Sequence, residues 1–249
     1  MPLSAAMSPE RIAAALQGYC RNLESAAEWA EPSWACALIG LQETAYSGWR
    51  DALRRAGVMA RTTCSRALAH AAGVRPPEFS TFSKAVVPSE GQAVQPNLAL
   101  LDALSIEHGL AVLRMRALRF RRAEVRRLID RRARARLAEW TGTQVDRLEA
   151  PAQEADAPDI VHLIAKTGML SIEQLDASAL AAEGWYLLVR DAGGERDDKR
   201  SQMLLRLALP RSLTATACLP AKSGQDASGS AWLFSHVPQL LPETGWLFG

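Results

Sequence analysis

Lysine is nearly absent from this sequence. Its 29 basic residues include four lysines, at 84, 166, 199 and 222, so the positive charge is almost all guanidinium. Histidine is equally scarce, and His70, His108, His162 and His236 stand far apart with no HExxH or other ligand spacing. No GxGxxG and no GxxxxGK[ST] loop occurs, and Gly224–Gly229 only shares residue types with a nucleophile elbow. Asp191, Asp197 and Asp198 are interleaved with Arg196, Lys199 and Arg200 and lack calcium-loop spacing. Cys20, Cys36, Cys64 and Cys218 form no CxxC pair and read as small buried thiols in a reducing compartment. No apolar run approaches the ~18 residues of a membrane span. The first ten residues lack the basic and apolar regions of a secretory signal. Together these absences predict a soluble cytoplasmic protein that is not an enzyme and has no metal site.

What the chain has instead is one concentration of charge. Residues 114–136 hold eleven arginines against Glu124 and Asp130, a local charge of +9 where the whole chain carries +2. With no Gly or Pro, the stretch favours helix. At 100° per residue, Leu104, Ala111, Met115, Leu118, Val125, Ile129, Ala133 and Trp140 share one face and predict a core-facing seam. Arg122 and Arg136 also project into that seam, where a guanidinium needs a carboxylate or a route to water. Arg122 is expected to be structural. Three readings compete for the remainder: a solvated face, a protein-docking face or intramolecular cover for acidic segments, and a nucleic-acid surface. A chain close to neutral, without basic loops or interleaved aromatics, argues against nucleic acid. Arg116, Arg119, Arg127 and Arg134 are the candidates to reach acidic groups of a partner or of this chain itself.

The rest of the chain predicts helices. Ser8-Pro9-Glu10 is a helix start, Pro32 closes the first segment, and further helices are expected at 33–44, 49–56 and 58–72. Residues 1–73 thus read as an N-terminal helical region, and 74–97, with Pro76, Pro77, Pro88 and Pro96, as an exposed connection. Over 98–150, Asn97 is expected to cap a central helix that runs to Trp140, weakened at Gly109 and stopped by Gly142. An acidic linker, 151–159, opens a mixed region, 151–249, expected to pack with the rest as one domain. There Ser171–Gln174 has capping-box spacing. Residues 184–190 read as a strand and the Leu-rich run 202–209 as strand or helix; together they are expected to form a β-hairpin around the polar loop 191–201, and 211–230 a polar connection. The fold class is therefore mainly α, a helical bundle or hairpin array, with a small β-hairpin in the C-terminal third. The apolar tail 238–249 would be costly to leave in water and is expected to dock on its own domain. If it is free, Trp246 and Phe248 are candidate anchors for a partner.

Several phrases, in this order, resemble the SctK (YscK) family of type III secretion in its Hrp-type branch. They are Glu28–Trp34, the Arg114–Leu137 segment with Leu128-Ile-Asp-Arg131, Gly184–Val189, Leu204–Arg211 and Pro242–Gly249. The resemblance implies an adaptor of the injectisome sorting platform at the cytoplasmic face of the inner membrane. It would join an SctD-like ring protein to an SctQ-like pod protein, with an SctL-like stator beyond, and would have no cofactor and no turnover. A nucleic-acid-binding regulator using helix 114–136 is the alternative.

Overall fold

Helix α1, Pro9–Glu24, begins where Ser8, Pro9 and Glu10 predict it, with the Ser8 hydroxyl accepting the Arg11 amide at 3.4 Å. The computed structural model describes residues 7–78, 81–82, 97–149, 158–192, 203–212, 219, 226 and 228–248. Its contacts divide the chain into two units. The first takes in Met1–Ala85, Asn97–Gly109 and Asp198–Ser212; the second takes in Val86–Pro96, Leu110–Asp197 and Leu213–Gly249.

In the first unit α1 is followed by α2 (Ala26–Trp29), α3 (Pro32–Ile39), α4 (Glu43–Arg55) and α5 (Val58–Ala71). The expected array of short helices is there. Its core is built from Tyr19, Ala26, Ala27, Leu53 and Leu68 together with Leu204 and Leu207. Gly18 lets α1 lie directly on the chain at Ala103, because a Cβ there would stand 2.2 Å from the Ala103 carbonyl oxygen. Asn22 fixes this approach by donating to the carbonyls of Asp102 and Leu104. The Asp102 carboxylate, 3% exposed, accepts the amides of Leu204 at 3.0 Å and Leu205 at 2.8 Å. It thereby caps the 3₁₀ turn Leu204–Ala208 from a distance in sequence. Burial pushes this carboxyl up to about 7, against the pull of the two amides.

Two expectations fail in this unit. Asn97 precedes a 3₁₀ turn, Leu98–Ala103, and makes no cap bond to it; its side chain donates to the Thr81 carbonyl instead. Cys20 and Cys64 are exposed and Cys36 is half-buried, so these thiols are not the core residues their helical spacing suggested. Cys218 lies outside the described residues.

The central helix does not run unbroken to Trp140. It is three helices: α6 (Ile106–Phe120), α7 (Arg122–Arg127) and α8 (Arg131–Thr141). Gly109 is not the weak point. It sits inside α6 with Leu205 Cδ1 2.9 Å from where a Cβ would be, so it marks a close contact. The breaks fall at Arg121 and at Leu128–Asp130, where Asp130 restarts the helix by accepting the Arg132 amide at 2.9 Å. Gly142 ends α8 at φ 68°, as its sequence position predicts. In the second unit α9 (Ile160–Thr167), α10 (Ala177–Asp191), α11 (Gly229–Leu240) and α12 (Gly245–Phe248) complete the order. The capping box at Ser171 and Gln174 forms.

The β-hairpin is not there: the described residues contain no strand. Residues 184–190 lie within α10, which starts on Asp176 accepting the Ala179 amide at 2.7 Å. The second run is the 3₁₀ turn Leu204–Ala208. The misreading has a physical source. Helix α10 is buried from Leu180 through Arg190 except at half-buried Tyr186, so it needs no polar face and shows no clear 3.6-residue period. Gly184, which looked like a strand boundary, lets α10 press on α6; a Cβ there would stand 1.7 Å from the Leu113 carbonyl oxygen. Residues 83–96, 151–157, 193–202, 213–218 and 220–225 lie outside the described residues. Most of the 74–97 connection, the acidic linker, the polar loop and the 211–230 connection fall there.

Candidate functional site

The arginine stretch is the natural candidate, and the fold divides it in two. Up to Arg122 the guanidiniums turn inward. Arg116 is fully buried and reaches three acceptors: Nη1 donates to Asp226 at 2.7 Å, Nη2 to Asp191 at 2.7 Å, and Nε to the Ser230 hydroxyl at 2.7 Å. Arg122 takes the other oxygen of Asp226 at 2.6 Å. Asp226 thus bridges two guanidiniums at 2% exposure, with φ at 59°, a left-handed conformation an aspartate tolerates better than most residues. Asp191, expected in a solvated loop, ends α10 with its carboxylate also bound by Arg190 at 2.8 Å.

Arg121 is paired in the same manner. Its Nε and Nη2 donate to the two Glu183 oxygens at 2.8 Å each, the fork-to-fork geometry guanidinium allows, and Nη1 donates to Glu124 at 2.7 Å. Burial works against this charge; the carboxylates of Glu183 and Glu124 outweigh it and hold the group above the ordinary guanidinium range. The second Glu124 oxygen accepts the Ile172 amide at 2.7 Å, tying the 3₁₀ turn at Ile172 to the network. Arg119 lies over the Trp232 ring at 4.1 Å and donates to the Leu148 carbonyl at 2.9 Å. Burial, then the neighbouring Arg122, lower it to about 10. Arg114 donates to the carbonyls of Ala177 and Trp140.

From Arg126 on, the pattern reverses. Arg126, Arg127, Arg131, Arg132 and Arg136 are exposed. Among the described residues no carboxylate pairs with the guanidiniums of Arg127, Arg131 or Arg132. Arg134, half-buried, donates to the carbonyls of Val125 and Leu128 and pairs with Asp146, closing the turn between α7 and α8 from beneath. Arg136 stands over Trp140 at 5.1 Å, at the surface, not in a buried seam. Ile129, expected in that seam, is 90% exposed, because the break at Leu128–Asp130 resets the phase of the helix.

The family profile described as a bacterial type III secretion protein (HrpB4) matches residues 6–243 of this chain. The chain belongs to that family. No curated protein and no solved structure matches it.

In this HrpB4-family chain the six residues singled out from sequence therefore have different settings. Arg116 and Arg119 are inside the second unit and answer to its own groups; Arg134 braces a turn; Arg127 is exposed. Trp246 and Phe248 belong to the tail, which forms α12 against α11. Leu247 is 1% exposed, and Phe248 meets Phe234 edge to face at 5.6 Å. Burying a leucine in this way contributes about 2 kcal/mol, enough to keep so short a helix docked. Trp246 remains 40% exposed. Sequence reasoning missed Ile129, Arg131 and Arg132 as a surface group. The available signal was Leu128-Ile-Asp130, where an aspartate immediately before a run of small and basic residues can cap a new helix.

Proposed function

We propose that this HrpB4-family protein is a non-enzymatic adaptor of the type III secretion sorting platform. It works at the cytoplasmic face of the inner membrane and joins an SctD-like ring protein to an SctQ-like pod protein. Family membership supports the secretion role, and no helix among the described residues is long and apolar enough to cross a membrane. The observation that carries the adaptor reading is the outward half of the arginine stretch. The second unit neutralises Arg116, Arg121 and Arg122 with its own carboxylates, yet leaves Arg127, Arg131 and Arg132 at the surface with no carboxylate partner among the described residues. An adaptor needs such a surface on a rigid body, and Arg suits it because the planar fork binds carboxylates while tolerating partial desolvation.

The test is co-purification of the tagged full chain from the bacterium that makes it, with its secretion genes expressed. Recovery of both the SctQ-like and the SctD-like subunit is expected. Recovery of neither, or of nucleic acid alone, would remove the adaptor reading. A nucleic-acid regulator would show binding that falls steeply with added salt.

A further inference from the structure

The turn between α7 and α8 places an apolar side chain at the centre of the exposed charge. Ile129 is the most exposed large hydrophobic residue of the described chain, at 90% against 80% for Met59 and 67% for Val58. Exposed Arg126, Arg127, Arg131 and Arg132 flank it in sequence on both sides. Its base is firm: Val125 and Leu128 are buried at 1% and 7%, and Arg134 donates to the carbonyls of both. A side chain held out this way loses little further freedom when it is bound.

The local helix gives no reason for the charges around it. Arg131 and Arg132 open α8, whose first turn contains no acidic residue. Cations there oppose the helix dipole and destabilise the helix. Asp130 is already engaged as the helix cap. These arginines therefore cost α8 a little and gain no carboxylate partner among the described residues in return.

We propose that Ile129 and the arginines 127, 131 and 132 form a docking knob for a folded partner protein that presents an apolar socket rimmed by carboxylates. The partner's identity rests on the adaptor reading; the chemistry of the contact does not. Charge complementarity selects this occupant over the others. A second copy brought face to face about a two-fold axis would set arginine against arginine. A nucleic-acid backbone would use the arginines alone and gain nothing from the exposed Ile129 at their centre. A protein socket uses all of these features: the apolar centre supplies affinity, and the arginine rim supplies orientation and speed of encounter.

The experiment places the photo-crosslinker benzoylphenylalanine at position 129 of the full chain, in the native bacterium. The same is done in a chain carrying Arg127→Glu, Arg131→Glu and Arg132→Glu, after circular dichroism and thermal melting show that its fold is kept. The expected result is an adduct to one protein whose cross-linked segment combines apolar residues with at least two Asp or Glu. That adduct falls roughly tenfold or more on charge reversal and is regained when the partner's carboxylates are changed to lysine. Ile129→Ser in an otherwise unaltered chain lowers co-purification of the same protein. An adduct untouched by charge reversal, an adduct to nucleic acid or to a second copy, or no adduct at all, overturns the proposal. An acid-rimmed socket on a protein foreign to the secretion apparatus upholds the knob and removes the adaptor reading. Platform subunits that co-purify equally with the reversed chain, and do not cross-link at position 129, do the opposite.

Discussion

Residues 114–122 and 126–136 have nearly the same composition and opposite fates. The first segment contributes five arginines and places Arg116, Arg119, Arg121 and Arg122 at 3% exposure or less. The second contributes six and leaves most of them in water. The difference lies in what comes to meet them. Helix α10 brings Glu183 and Asp191 to the first segment, and Asp226 reaches it from just before α11. Among the described residues, the carboxylate that meets the second is Asp146 on Arg134, while Arg127, Arg131 and Arg132 stand exposed. Arginine content therefore did not decide between structure and surface; the position of acidic residues far along the chain did. Burying such pairs adds little net stability, because desolvation offsets most of the attraction, but removing one partner is severe.

The sharpest way to break the inner half is to remove its bridge. Asp226→Ala leaves Arg116 and Arg122 buried without that carboxylate and should cost about 3–5 kcal/mol, read as a lower urea midpoint for the second unit. A loss below about 1 kcal/mol would mean the inner arginines find water, and the contrast with the outer half would dissolve.

Next in size is Gly184→Ala. The added methyl meets the Leu113 backbone and forces α10 off α6, withdrawing Glu183 from Arg121. Destabilisation of about 3 kcal/mol is expected, the upper range for overpacking, measured by thermal and urea unfolding. A neutral result would contradict the helix contact.

Asp102 offers a smaller comparison, a buried carboxylate that among the described residues is held by two backbone amides and no guanidinium. Its folded form is pushed up to about 7 from 3.8. The folded chain thus binds this proton more tightly than the unfolded one. Asp102's contribution is fullest below about pH 4 and is lost as pH rises toward about 7. Asp102→Asn should lose about 1 kcal/mol for one amide bond and flatten that slope in urea midpoints taken from pH 4.5 to 7.5. Identical slopes in the two proteins would show that Asp102 does not titrate there.

The smallest stability effect is expected in the outer half. Arg131→Glu with Arg132→Glu should leave stability unchanged or raise it by about 0.5 kcal/mol, since acids suit the first turn of a helix. Loss of folding on this change would place these arginines in the structure after all, and intact partner binding would remove them from the docking surface.

Much of this was legible in the linear sequence. Ser8, Ser171 and Gly142 declare their helix ends through local hydrogen bonding and backbone freedom, which involve only near neighbours. The helical character of the N-terminal region and the structural role of Arg122 were legible for similar reasons of period and burial. Other features were not. A seam drawn at a constant 100° per residue assumes one continuous helix, and the breaks at Arg121 and Leu128–Asp130 turned Ile129 outward. The hairpin expected at 184–190 failed because a helix buried on all sides loses the period by which helices are recognised.

The sequence by itself determined the helical class, several helix ends and a cationic segment. Only the tertiary structure decided which arginines that segment keeps inside. Arg116 meets Asp191, Asp226 and Ser230 across 75 to 114 positions of chain. Helix periodicity reports a residue's own face, whereas a buried charge is tolerated only where a distant carboxylate arrives in register, and packing alone sets that arrival.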